Sequence, residues 1–166
     1  MSRYVALVRG INVGGGNTRV PMGVLKDIFG ELGCAEVSTY INSGNVVFTA
    51  PKAPTVASIE KRIFEETGVP ARVIVLTGEK LRRIADAMPF EGDESRLLVS
   101  FMGEVPSVEV PADIDPEQIH LGSEAVYQWL PAGVSQSKVK PSFWKQFPPE
   151  TTGRNIRTVR KLLDLL

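Results

Sequence analysis

In the first 77 residues the apolar periodicity switches between two repeats in a set order, and that order restricts the fold more than any other feature. "RYVALVRGIN" (residues 3–12) is a short apolar run carrying Val and Tyr, the signature of a buried strand. Gly14, Gly15, Gly16 and Asn17 break it. "PMGVLKDIFGELG" (21–33) then places Met22, Leu25, Ile28, Phe29 and Leu32 at helical spacing, with Pro21 a favoured first helical residue and Gly33 the stop. "VSTYINSGNVVFTA" (37–50) sets two β-branched and aromatic runs around "NSGN", which reads as a hairpin turn or a strand broken by a bulge. "TVASIEKRIFEETG" (55–68) is capped by Thr55 and carries Val56, Ile59, Ile63 and Phe64 on one face. "VPARVIVLT" (69–77) is another strand. The sum is β-α-β-β-α-β, the order of a ferredoxin-like unit.

The remainder reads as a helix at 79–88, a strand "RLLVSFM" (96–102) and an acidic, Pro-containing connection. A strand pair around "IHLG" and "AVYQWLP" follows, then a lysine-bearing segment and the helix "TGRNIRTVRKLLDLL" (152–166). This half echoes the first weakly, without a residue-level repeat. The expected fold is α+β: a ferredoxin-like half, residues 1–78, packed with a second α+β half, residues 79–166, on mostly antiparallel sheet. At 166 residues the two halves fit one domain.

With 43% hydrophobic and 23% charged residues, neither disorder nor a membrane class is indicated. No apolar run approaches the roughly 20 residues that span a bilayer. The N-terminal run is interrupted by Arg9 and lacks a small-residue cleavage site, so it reads as a strand, not a signal peptide. One cysteine, Cys34, excludes an internal disulfide and fits a reducing cytoplasm. The expected location is cytoplasmic, with no membrane partner.

Net charge is zero, from 19 basic and 19 acidic side chains, but it is unevenly placed. Residues 86–124 hold ten acids and one base (Arg96), whereas 138–161 hold seven bases and one acid (Glu150). The plain reading is two solvated faces; the sharper one is an anion or nucleic-acid surface near the C-terminus. A balanced total argues against a dedicated electrostatic DNA binder.

His120 is the single histidine and no spaced His/Cys/carboxylate cluster accompanies it, which discounts a metal centre. The same scarcity removes Ser-His-Asp and Cys-His catalysis unless His120 enters the site. Cys34, just after Gly33 at a helix end, reads as a small buried thiol. Three stretches remain. In "VRGINVGGGNTR" (8–19) the glycines do not give G-x-G-x-x-G, and no Gly-Lys-Ser/Thr follows them for a P-loop. Glycines still let successive N–H groups turn toward an anion, with Arg9, Asn12, Asn17 and Arg19 as donors beside them. "YINSGNVVF" puts Asn42, Ser43 and Asn45 around Gly44, more asparagine than turn chemistry requires. "TTGRNIRTVRKLL" places Thr151, Thr152, Arg154 and Asn155 at a helix start, where Thr151 or Thr152 can cap and free N–H groups attract anions. Along that helix Ile156, Val159, Leu163 and Leu166 form an apolar stripe opposite Arg154, Arg157 and Lys161.

Taken together, "YVALVRGINVGG", "TYINSGNVVF" and "TTGRNIRTVRKL", with "WLPAGVSQSK" between, resemble the bacterial family known as domain of unknown function 1697 over essentially the whole chain. The resemblance implies an α+β fold on ferredoxin-like topology and brings no activity. It marks Arg9, Gly10, Asn12, Gly14 and Gly15 in the first motif. In the second it marks Asn42, Ser43, Gly44 and Asn45, and in the third Thr152, Arg154, Asn155 and Thr158. Ile156 stands where the family often has an aromatic, so either a ligand contact is lost here or a helix-packing residue is merely exchanged.

The three motifs contain Arg and Asn but no acid, so paired-carboxylate catalysis has no support. Such donor-rich, acid-free groups suit recognition of a phosphate, a carboxylate or a nucleic-acid backbone. The leading expectation is a binding module for an anionic, phosphate-bearing small molecule or nucleotide. Its site residues are Arg9, Asn12, Gly14, Gly15, Asn42, Ser43, Asn45, Thr152, Arg154 and Asn155, with no metal and no cofactor. One alternative is RNA or single-stranded DNA on the sheet face, using Tyr4, Tyr40 and Phe48 if these are exposed. Another is a metal-independent phosphoryl- or acyl-group enzyme, with Ser43, Ser137 or Thr152 as nucleophile and Lys138 as base. The residues alone do not decide between binding and turnover.

Overall fold

In the computed structural model, which describes residues 1–14 and 16–166, the first apolar run becomes strand β1, Ser2–Arg9. Its four central residues, Val5–Val8, are at most 1% exposed. Burial without alternation means that both faces of β1 are covered, and that requires a central strand. Accordingly β1 pairs antiparallel with β3 (Asn45–Ala50) on one side and β4 (Arg72–Thr77) on the other. Strand β2 (Ala35–Tyr40) adds to β3, giving the order β2-β3-β1-β4. Helices α1 (Met22–Glu31) and α2 (Val56–Thr67) fall between β1 and β2 and between β3 and β4, so β-α-β-β-α-β is the order found.

One core cluster joins Ala6 and Val8 of β1, Val46 and Phe48 of β3, Leu25, Ile28 and Phe29 of α1, and Ile59 and Ile63 of α2. The apolar face of α2 is narrower than its sequence predicts, because Val56 and Phe64 stand exposed. Thr55 caps this helix as expected, its hydroxyl accepting from the Ser58 N–H at 3.2 Å, and Gly68 closes it in a left-handed conformation.

Chain contacts divide the molecule into two units, Met1–Leu81 with Leu162–Leu166, and Arg82–Lys161. Helix α3 (Gly78–Asp86) runs across the first boundary. The second unit holds β5 (Leu97–Phe101), β6 (Gln118–Leu121), β7 (Ala125–Trp129), the short α4 (Pro141–Trp144) and β8 (Thr152–Asn155). Helix α5 follows over Ile156–Leu165. Residues 152–155 are thus strand, where the sequence predicts helix. They pair with β5 from Leu98 opposite Asn155 to Phe101 opposite Thr152, and this ladder wins over helix at a stretch containing Gly153.

The second sheet has the order β6-β7-β5-β8, again antiparallel throughout. Each sheet therefore sets its first strand between its third and fourth, with the second strand at the edge. Each fourth strand also runs straight into a helix whose first turn is tied to the last strand residue. Thr77 Oγ1 accepts from Lys80 N at 3.1 Å, and Asn155 Oδ1 accepts from Thr158 N at 2.9 Å. The echo between the halves is topological. Within the second unit the acidic middle meets the basic end: Arg160 pairs with Glu94 at 2.7 Å and Arg157 with Asp93 at 3.9 Å.

Candidate anion-binding site

The first loop starts where β1 ends. Gly10 (φ 84°) turns the chain, Ile11 inserts into the core, and Asn12 follows in the left-handed region at φ 54°. Asparagine tolerates that conformation and carries a donor and an acceptor on one short side chain. Here both are used on the loop. Nδ2 donates to Val20 O at 3.0 Å and to Asn42 O at 2.9 Å, while Oδ1 accepts from Val20 N at 2.9 Å. The Asn12 N–H donates to Thr18 O at 2.7 Å, and Thr18 Oγ1 donates to Val13 O at 2.7 Å and accepts from Val13 N at 3.0 Å. Asn12 is a clasp at the loop's base, its amide bonded to main-chain groups of the loop and of the 41–44 turn.

The second motif is a hairpin turn, residues 41–44, pressed against the first. Gly44 has φ 92°, and a Cβ there would stand 2.7 Å from Ile11 Cδ1 and 2.9 Å from Val8 Cβ, so only glycine fits. Its carbonyl accepts from Val8 N at 2.8 Å. Asn45 is wholly buried and donates from Nδ2 to Tyr40 O at 2.8 Å and to Ser43 Oγ at 3.0 Å. Asn45 therefore closes the turn, with Ser43 as one of its partners. Ile41 holds φ 49°, a costly conformation for a β-branched residue, half-exposed at the tip.

Loop and turn together bound a cavity of about 490 Å³, lined by Asn12, Gly14, Gly16, Thr18, Arg19, Val20, Pro21 and Asn42. Among these described residues Arg19 is the one charged side chain and none is a carboxylate. Pro21, at the cavity wall, is also the N-cap of α1 and gives that helix no side-chain cap. The first N–H groups of a helix lack intrahelical acceptors and carry its positive end, and no acid stands in the first turn of α1 to neutralise it. Of the expected site residues, Asn12, Gly14 and Asn42 line this cavity. Gly15 lies outside the described residues, and Arg9 ends β1 opposite Arg72 of β4. Arg19, read from the sequence as a donor beside the glycines but not carried into the expected site, lines the cavity, and so does Pro21, which the sequence reading placed only at the helix start.

Thr152, Arg154 and Asn155 belong to the second unit. Thr152 and Arg154 are buried on β8, and Arg154 Nη1 donates to Thr152 Oγ1 at 2.7 Å and to Gly153 O at 2.9 Å. Burial draws the Arg154 pKa down from 12.5 to about 10. Arg154 is thus a buried strand residue, not part of an exposed helix face, and the α5 cap is Asn155, not Thr151 or Thr152. Thr151 Oγ1 instead donates to Pro148 O at 2.7 Å. Ile156 is fully buried, which makes it a packing residue.

The remaining reactive groups are also engaged. Ser137 Oγ donates to Glu117 Oε1 and the Lys138 N–H to Glu117 Oε2, each at 2.6 Å, while Lys138 Nζ donates to Asp115 O at 2.7 Å. The lysine amine is turned to a carbonyl and not to the serine, and the buried Glu117 pins this segment. Cys34 is buried, and burial pushes its thiol pKa up, away from the reactive thiolate. His120 lies exposed on β6, its ring 6.3 Å from that of Tyr127 across the ladder. Tyr4 stacks on the fully buried Phe48 with centroids 5.5 Å apart, which places Phe48 in the core and not on an open sheet face. Among the described residues no group of three or more His, Cys, Asp or Glu could hold a metal ion, and no helix is long and apolar enough to cross a membrane.

Residues 1–127 match a family model described as "Protein of unknown function (DUF1697)". No curated protein matches the chain. Among solved structures, the conserved bacterial protein SP0830 from Streptococcus pneumoniae is similar, with a TM-score of 0.65 at 23% identity over 99% of this chain and 98% of that one. At that identity the likeness shows a shared fold.

Proposed function

Because this chain belongs to DUF1697, a family described only as proteins of unknown function, we propose its role from its own geometry: a binding module for an anionic, phosphate-bearing small molecule or nucleotide. The ligand sits in the cavity between the first loop and the 41–44 turn. The observation that carries this reading is the charge of the lining, in which a single guanidinium, Arg19, stands without a carboxylate at the start of an uncapped helix. A phosphate there gains a charge-assisted hydrogen bond and the favourable end of the helix dipole. The glycine-bearing rim lets the backbone approach the ligand closely. Asn12, Asn45 and Gly44 act one step back, holding the loop and the turn in register. Sheet-face nucleic-acid binding has less support, since Phe48 is in the core. A cytoplasmic location suits the single buried cysteine.

The test is a thermal-shift screen of the purified chain against nucleotides and phosphorylated metabolites, repeated with Arg19→Gln. A ligand at about 100 times its Kd stabilises the folded state by about 2.7 kcal/mol. That shift is expected in the parent and lost in the variant. A screen that is flat, or equal in the two proteins, contradicts the reading.

A further inference from the structure

We infer that the ligand of this cavity is a phosphorylated polyol or sugar, not a nucleotide; the inference rests on the anion reading above and narrows it. A nucleobase is held by stacking on an aromatic ring or a guanidinium plane, and by hydrogen bonds to its edge. The described lining contains no aromatic side chain. The core rings of this unit are committed to one another, Tyr4 on Phe48 and Phe29 on Phe48, with centroids 5.5 and 5.2 Å apart, and Tyr40 at the end of β2 is not among the lining residues. The one guanidinium plane is Arg19, which is also the one cation of the lining. It serves a phosphate or a base, and a phosphate has the stronger claim on it.

What remains of the lining suits hydroxyl groups. The exposed Asn42 amide offers a donor and an acceptor together, and the glycines their backbone N–H and C=O groups, while Thr18 Oγ1, its proton given to Val13 O, can only accept. Inorganic phosphate alone would leave most of the 490 Å³ to water, whereas a small phosphorylated sugar fills a cavity of this size. Thus Arg19 fixes the phosphate and Asn42 reads the hydroxyl-bearing body.

Isothermal titration of the full chain with inorganic phosphate, glycerol 3-phosphate, ribose 5-phosphate, glucose 6-phosphate, AMP and adenosine separates the possibilities. The tightest of the three polyol phosphates is expected to bind about tenfold or more tighter than inorganic phosphate, with AMP no tighter than ribose 5-phosphate. Asn42→Ala, an exposed change that spares the main-chain carbonyl used by Asn12, is expected to remove that advantage over inorganic phosphate. AMP binding roughly tenfold tighter than ribose 5-phosphate, the scale of base stacking, overturns the inference and leaves the anion reading standing. So does inorganic phosphate matching every polyol phosphate. If no phosphate-bearing compound binds, the anion reading falls and the inference with it.

Discussion

Asn12 bonds Val20 through both ends of its amide and the Asn42 carbonyl through Nδ2, in a conformation few other residues accept. Asn12→Ala removes these bonds and leaves the Val20 N–H without its acceptor. The loss expected in urea denaturation is about 1–3 kcal/mol, with ligand affinity falling as the loop loosens. Its residue type was legible in sequence, since asparagine among glycines announces a turn that wants a left-handed residue. Whether it faced a ligand or the fold was not, because its partner Asn42 lies 30 positions away. Tyr127 gives a residue-scale test by pH. Its hydroxyl donates to Ile84 O at 2.6 Å, and burial, with a smaller contribution from Glu124, pushes its pKa up from 10 to about 12. The unfolded chain therefore ionises first, and Tyr127 makes stability fall as pH rises from about 10 to 12. Arg154, drawn down to about 10, acts oppositely in the same window: the unfolded chain holds its proton longer, so its share of stability rises with pH. Alkaline denaturation of Tyr127→Phe against the parent isolates the first effect, and the variant's stability is expected to fall less steeply.

At the scale of elements, α1 and α5 begin differently, and the difference bears on the site. Helix α5 is capped by Asn155, whereas α1 begins behind Pro21 with no side-chain cap. A helix end left uncapped beside a cavity forgoes the stability a side-chain cap would give. Pro21→Asp tests this coupling. The new carboxylate caps α1 and meets its positive end, for a gain of about 0.5–1 kcal/mol in thermal or urea unfolding. It also places an anion in the lining and is expected to abolish binding of phosphate-bearing ligands. If binding survives, α1 is not part of the site. Elements with strong apolar periods, β1, α1 and β4, were readable to within a few residues. Strand β8 was not, because nothing local in Thr152–Asn155 reveals that β5 offers it a ladder. The α2 face was overdrawn for a related reason: spacing put Phe64 beside Ile63, but only packing decides how wide the buried stripe is.

For the whole molecule, two four-stranded antiparallel sheets share one strand order, while their sequences show only a weak echo. The same topology with different residues explains why the echo was barely legible: hydrogen-bonded ladders constrain the pattern of apolar positions, not their identities. The connections differ in charge. Between β1 and β2 runs the acid-free loop and α1, whereas between β5 and β6 lie Glu104, Glu109, Asp113, Asp115 and Glu117. An anion site is thus supported in the first unit alone. The uneven charge of the sequence is partly resolved inside the second unit, where Arg160 and Arg157 meet Glu94 and Asp93. Exposed pairs of this kind contribute little to stability, but they spend part of the basic end that a nucleic-acid surface would need.

The central claim is that an anion binds between the first loop and the 41–44 turn, and amide chemical-shift mapping of the chain titrated with inorganic phosphate tests it most directly. Shifts are expected to concentrate in residues 12–23 and 41–44 and to be lost in Arg19→Gln. Unmoved amides in those two segments, or the same shifts persisting in the variant, would contradict it.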